Sequence, residues 1–379
     1  MNTALLPNES TYNPQACAVD AAHDSHAQLQ PLLRRFIFDA LLWCILAGLL
    51  FIGASNISAL KSYSAVSLRY ETPVSGQAAW QARQYAARQS DGGVFWATFW
   101  HETQKTVSGE LRKADAVCIY FSGDANLVWP SRFLSGSAPG VTDGSGCAVS
   151  SALAWTLWGS HDIVGKTLGV DGEVRTIRGV FEENDPLALL CVRDEDKSHS
   201  FTAVELSGGP QSPARSDAQS FAAAAGLGPP DSILIGTPAF LSEIIAVLPL
   251  LTLTVFAVAQ LAGYMKKRPL VLKGTLFIAL LALAVLLPTL LEALPDWMIP
   301  TRWSDFSFWG TLGRQIGADL REYLALAPRL RDVAYKTLLL KQTGIAFLSM
   351  ILALTICFRW RSHALQPRQP GQSALSHRL

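Results

Sequence analysis

The sequence predicts an α+β extracytoplasmic domain inserted between a first transmembrane helix and a three-helix membrane region, four transmembrane helices in all. Three observations predict this. Half of the 379 residues are hydrophobic and 16% are charged, a balance that fits several spans plus a water-exposed domain. Four apolar runs approach or exceed the ~20 residues that cross a bilayer core. Between the first and second runs lies a stretch of ordinary domain length, ~100–200 residues, with no membrane-length apolar segment.

The elements follow in order. Residues 1–35 are polar, contain Pro7, Pro14 and Pro31, and read as a flexible cytoplasmic tail. Arg34 and Arg35 precede the first span, 36–57, whose length favours a retained anchor over a cleaved signal peptide. Bulky Trp43 before Cys44 argues against a lipidated cysteine. Asp39 is either a functional intramembrane acid or, as favoured here, an interfacial side chain snorkelling beside Arg35.

Within the domain, 58–239, residues 76–89 read as a helix ended by Gly92-Gly93. Alternation across 94–107 and the run 114–121 read as strands. Further strands are expected at 187–192 and 201–206, with 193–197 as the turn between them, and a helix at 216–225. The later spans are 240–264, 272–294 and 338–358, separated by a 265–271 loop and a 295–337 loop. Basic residues flanking them place the 265–271 loop, the 359–379 tail and the N-terminus in the cytoplasm by the positive-inside rule. The 295–337 loop carries Trp297, Trp303, Phe306, Phe308 and Trp309, then an expected amphipathic helix over 317–340. These aromatics read as a belt at headgroup level, with membrane lipid as partner, ahead of a ligand- or partner-gripping role.

Residues 149–181, VSSALAWTLWGSHDIVGKTLGVDGEVRTIRGVF, carry the densest pattern. Ser150 or Ser151 suits the cap of a short helix that Gly159 ends. Asp171-Gly172 between two β-rich runs is a hairpin signal. Gly165-Lys166-Thr167 is no phosphate loop, because the glycine spacing is wrong and a helix precedes where a strand is needed. The order of these elements resembles the MacB-like periplasmic core domain of MacB/FtsX-type ABC transporter permeases. The resemblance is densest over 136–181, and its signature positions here are Ser151, Gly159, Gly165, Lys166, Asp171, Gly172 and Gly179.

That resemblance implies a membrane permease-like subunit that passes ATP-driven motion to an external domain, for export or mechanotransmission. The chain has no Walker loop, so the ATPase would be a separate polypeptide. A homodimer or a related permease subunit is a further implied partner. The coupling segment would be Lys266, Lys267, Arg268 and Lys273, which equally read as positive-inside anchors. This segment is short, basic and broken by Pro269, and it lacks the family's longer Arg-Glu-Ile-Gly-type helix. The alternative is therefore a membrane-anchored extracytoplasmic binding or sensory module without ATPase coupling.

No catalytic, cofactor or metal residues are assigned. His101-Glu102 lacks the second histidine of a zinc-protease motif, Lys105 standing in its place. Ser145 lies in a loop without a nucleophile elbow. His161-Asp162 reads as a cap or a solvated turn, and Glu182, Glu183, Asp185, Asp194, Glu195 and Asp196 read as solvated turns lacking calcium-loop spacing. Gln260, Glu243 and Glu292 are pathway candidates that more readily serve as interhelical or interfacial groups. Cys118, Cys147 and Cys191 form either one disulfide or, as favoured, three free thiols. A net charge of +1 offers nothing to nucleic acid.

Overall fold

The computed structural model describes residues 14–63, 66–88, 95–193, 196–208, 215–265, 306–326 and 329–364, with 274, 277 and 298 singly. Helix α1 (Pro14–Ser62) contains the first span and continues on both sides of it. Most of the segment that composition reads as a flexible tail is thus helical. A helix nucleated in the apolar run extends at little cost through the Ala- and Gln-rich residues before it.

The domain then alternates strands and short helices: β1 (Val66–Ser75), α2 (Gly76–Arg88), β2 (Phe95–Ser108), β3 (Lys113–Ser122), α3 (Ala125–Val128), β4 (Phe133–Gly136), β5 (Gly146–Ser150), α4 (Ser151–Trp158), β6 (Thr167–Val170), β7 (Glu173–Phe181), β8 (Leu187–Cys191), β9 (Ser200–Gly208), α5 (Arg215–Ala224) and β10 (Ser232–Leu234). The sheet order is β10-β1-β9-β2-β3-β8-β5-β7-β4. Strand β6 pairs with both β7 and the end of β2, so β2-β3-β8-β5-β7-β6 close a ring. Strands β8 and β9 are separated by β3 and β2, so 193–197 connects distant strands and is not the turn of a hairpin.

Strand parity sorts the core into two faces. Ala97 and Phe99 on β2, Cys118 and Tyr120 on β3, and Val204 and Leu206 on β9 share one face with α2, α4 and α5. Trp100, Ile119, Phe121, Leu189 and Ala203 occupy the other, against which Leu330 and Ala334 pack.

The 149–181 unit forms as its residues predict. Of the two cap candidates it is Ser150 whose Oγ accepts from Leu153 N (3.1 Å), and the same oxygen accepts from Leu187 N (3.0 Å). Ser151 instead donates to the Glu183 carbonyl (2.8 Å). Gly159 ends α4 in the left-handed region at φ 68°. Asp171 and Gly172, at φ 51° and 85°, make the two-residue turn of the β6–β7 hairpin. Gly165 N and the Lys166 carbonyl both bond to Ile177 (2.8 Å each), so this backbone belongs to the hairpin. Gly179 packs so tightly on Ser137 and Phe133 that a side chain there has no room.

Helices α6 (Thr237–Met265, with Pro249 inside), α7 (Phe306–Ala325) and α8 (Leu330–Ala364) complete the described chain. The expected 317–340 amphipathic helix is two helices. Pro328 in the sequence disfavours helical geometry at the residue before it and donates no N–H, so one helix cannot run through. The helix that contains the expected last span, 338–358, is longer than that span, Leu330–Ala364. The expected third span, 272–294, apart from Gly274 and Phe277, and the loop before it lie outside the described residues.

Candidate functional site

Where α8 meets the sheet, charged side chains converge inside the domain. Glu205 on β9 is fully buried. Register places it opposite Ser67 of β1 and Thr98 of β2, with Arg69, Ala203 and Trp100 in the next row on the same face. The Glu205 carboxylate accepts from Ser67 Oγ (2.7 Å), Trp100 Nε1 (2.9 Å) and Arg331 Nη2 (3.1 Å), and lies 3.7 Å from Arg69 Nη2. Arg69 Nη2 also donates to Asp332 Oδ1 at 2.8 Å. Two cations from β1 and α8 therefore face two anions from β9 and α8, all four nearly free of solvent.

The start of α8 is fastened further. Arg331 Nε donates to the Val128 carbonyl (2.8 Å) and Nη2 to the Leu127 carbonyl (3.3 Å), satisfying the open end of α3. Glu102 of β2 accepts from Leu330 N (3.1 and 3.2 Å), so a carboxylate sits at the positive end of α8. Burial holds the Glu102 carboxyl above its usual range. The Trp100 ring lies under three guanidinium groups, those of Arg69 (4.8 Å), Arg329 (5.5 Å) and Arg331 (5.8 Å). Burial, then the Arg69 charge, lowers the pKa of Arg329.

A second cluster ties α7 to the domain edge. Arg215 Nη2 reaches Asp319 (2.8 Å), Glu322 (3.0 Å) and the Ile233 carbonyl (3.0 Å). Glu322 accepts from Ile233 N (2.9 Å), and Asp319 accepts from Thr237 Oγ1 (3.3 Å) at the start of α6. Below it Leu60, Leu234, Ala239, Tyr323 and Tyr335 form a small apolar core shared by α1, β10, α6, α7 and α8.

Lys61 pairs with Glu243 (3.0 Å) between α1 and α6. At the far end of α8, Arg359 pairs with Asp39 (2.8 Å) and its guanidinium lies 4.6 Å over the Phe38 ring. This corrects the reading of Asp39 as an acid snorkelling beside Arg35. Only the packing of α1 on α8 brings in a cation 320 residues away in sequence, which no local spacing rule reaches.

The other sequence candidates fall elsewhere. The signature residues lie on α4 and β7 and on the connections before and after β6, and none of them takes part in the Glu205 network. Lys266, Lys267, Arg268, Lys273 and Glu292 lie outside the described residues. Gln260 is exposed on α6. His101 stacks on Tyr120 (5.0 Å) beside His199, and burial, then the His199, Arg329 and Lys105 charges, brings its pKa down to about 4. Cys118, Cys147 and Cys191 are buried and form no disulfide with one another, and burial pushes the first two thiols up to about 12. No motif singles out Arg69, Trp100, Glu205, Arg331 or Asp332. Their signal is a single charge at an inward position of a strand, Arg69 in VSLRYE and Glu205 in FTAVELS.

The chain is thus an α+β domain mounted on helices; among the described residues three helices (34–62, 237–263 and 330–362) are long and apolar enough to cross a membrane. No family model and no curated protein matches it. Among solved structures, the domain is similar to the extracellular domain of the noncanonic ABC-type transporter YknZ from Gram-positive bacteria. That alignment has 12% identity and a TM-score of 0.34, covering 45% of this chain and 98% of the other. It is also similar to the periplasmic region of MacB from Actinobacillus actinomycetemcomitans, at 8% identity and a TM-score of 0.39, over 47% of this chain and 92% of the other. A third similarity is to a domain of a candidate permease from Porphyromonas gingivalis, at 14% identity and a TM-score of 0.32, over 45% and 86%.

Proposed function

We propose that this chain is the membrane subunit of a MacB/FtsX-type ABC system, transmitting motion from a separate ATPase to its extracytoplasmic domain. One observation carries the reading. Helix α8 is continuous from the buried Glu205 network to the Asp39–Arg359 pair, and Arg331 and Arg359 stand ~42 Å apart along it at ~1.5 Å per residue. A rod of that length, ~30 Å of which fills a bilayer core, joins the domain interior to the opposite membrane face. Pulling, tilting or rotating its inner end acts directly on β1, β2 and β9. In this reading both termini and 265–271 are cytoplasmic, the third span is 272–294, and Lys266, Lys267, Arg268 and Lys273 dock the ATPase.

The test is affinity purification of the tagged full chain from its native membrane. An ABC ATPase should co-purify and be lost when the four basic residues are replaced by alanine. Absence of any ATPase sinks the coupling reading and leaves the anchored binding or sensory module, which the short, proline-broken 264–274 segment favours.

A further inference from the structure

Helix α7 is amphipathic in an unusual sense: its acids face the protein and its arginines face out. Leu312 is buried, Asp319 and Tyr323 are buried against the domain edge and the starts of α6 and α8, and Glu322 lies beside them on Arg215 and Ile233. The opposite stripe runs Gly310, Arg314, Gly317, Arg321, Leu324 at four- and three-residue steps, which is one helical face. Among the described residues, no atom lies within 4 Å of where a side chain would project from Gly310, Gly313 or Gly317, so no described residue packs on the stripe there. Arg314 and Arg321 are exposed, and among the described residues their only hydrogen bonds are to Thr311 Oγ1 and the Gly317 carbonyl of their own helix. Trp309 and Leu324 flank the arginines at 49% and 73% exposure.

The level of this face is set by its contacts. Asp319 holds the first residue of α6, Tyr323 packs on Tyr335 near the start of α8, and Leu60 near the end of α1 joins the same cluster. The C-terminal half of the stripe is therefore tied to the domain-side ends of the apolar helices, which is the bilayer boundary in the proposed reading. Two guanidinium groups with no acid partner among the described residues, beside an aromatic and an aliphatic side chain, suit that boundary. Phosphate takes the forked donors, and Trp and Leu enter the headgroup zone.

We propose that the outward stripe of α7 binds the anionic phospholipid surface on the domain's side of the membrane, Arg314 and Arg321 each taking a headgroup phosphate. It thereby anchors one edge of the domain, at β10, to the bilayer while α8 engages its interior.

The full chain is reconstituted in nanodiscs of phosphatidylcholine with increasing phosphatidylglycerol. Phosphatidylglycerol retention is measured by native mass spectrometry for the wild type, R314Q/R321Q and R314K/R321K. At about 1 kcal/mol per basic residue, the glutamine pair loses roughly thirtyfold of the preference, and the lysine pair keeps most of it. Both positions are exposed, so thermal stability in pure phosphatidylcholine stays within ~1 °C of wild type and separates lost binding from misfolding. Equal preference in wild type and R314Q/R321Q overturns the proposal. Inorganic phosphate that displaces the lipid at low millimolar concentration also overturns it, since the site then recognises free anion and not a membrane surface.

Discussion

Replacing Glu205 with glutamine tests the Glu205 network most directly. The substitution keeps the shape and removes the charge. Its neighbours are Ser67, Trp100, Arg331 and Arg69, and the Glu205 side chain has no exposure to water that could take over their hydrogen bonds. Arg69 and Arg331 would be left with Asp332 as the only anion in contact among the described residues, and an amide N–H₂ would face one of them. Uncompensated buried charge of this kind costs ~3–5 kcal/mol. At ~2–4 °C per kcal/mol for a domain of this size, Tm falls by ~6–20 °C. The assay is thermal unfolding of the detergent-solubilised full chain, followed by tryptophan fluorescence, to which Trp100 contributes. Arg331→Met provides the contrast, because Glu205 keeps Ser67, Trp100 and Arg69. It lowers Tm less, yet frees the start of α8, read as faster proteolysis at the first turn of that helix. A fall of less than ~2 °C for Glu205→Gln would refute the claim that this carboxylate holds α8 to the sheet.

Three further outcomes are expected. Asp39→Asn and Arg359→Gln, singly and together, give a double-mutant coupling of roughly 1–2 kcal/mol, since the pair is partly buried and lies between two helices; additive effects would show that the pair is idle. Gly136→Ala, at φ 67° and with its new methyl group driven into the Arg178 carbonyl, destabilises the β4–β7 edge by ~2–4 kcal/mol, read as a lower denaturation midpoint. His101, held at about 4 in the folded state against ~6.5 unfolded, binds more protons when unfolded, so it costs no stability above pH ~6.5. As pH falls from ~6.5 towards 4 its contribution is lost progressively, by an amount on the order of 2 kcal/mol after allowance for partial exposure. His101→Phe, which can still stack on Tyr120, should flatten that part of the Tm-against-pH curve, and an unchanged slope would assign the acid sensitivity elsewhere.

Much of this protein was legible from local chemistry. The Ser150 cap, the Gly159 end and the Asp171-Gly172 turn each depend on backbone geometry within a few residues, and each formed where its residue types require. Strand alternation in β2 and helical spacing in α2 and α5 were equally local. The apolar runs around α1, α6 and α8 needed only length and composition. Where the sequence misled, the cause was either a local breaker passed over or a distant segment. The 317–340 stretch reads as one helix although it contains Pro328, and the described residues form two, one closing the domain edge and the other entering the domain's second face; the Asp39 partner, by contrast, lies 320 residues away.

The 149–181 stretch carries the densest local signals, and it does build a rigid helix–hairpin unit. The junction with the membrane helices is elsewhere. Arg69, Glu205, Arg331 and Asp332 are scattered over more than two hundred residues, and no spacing rule links them. Sequence determined the caps, turns, apolar helices and strand faces of the described residues, because these follow from neighbours along the chain. Tertiary structure alone decided which buried charge meets which, because sheet order sets β1 beside β9 and β9 beside β2, and only that pairing makes a pocket that the first turn of α8 fills.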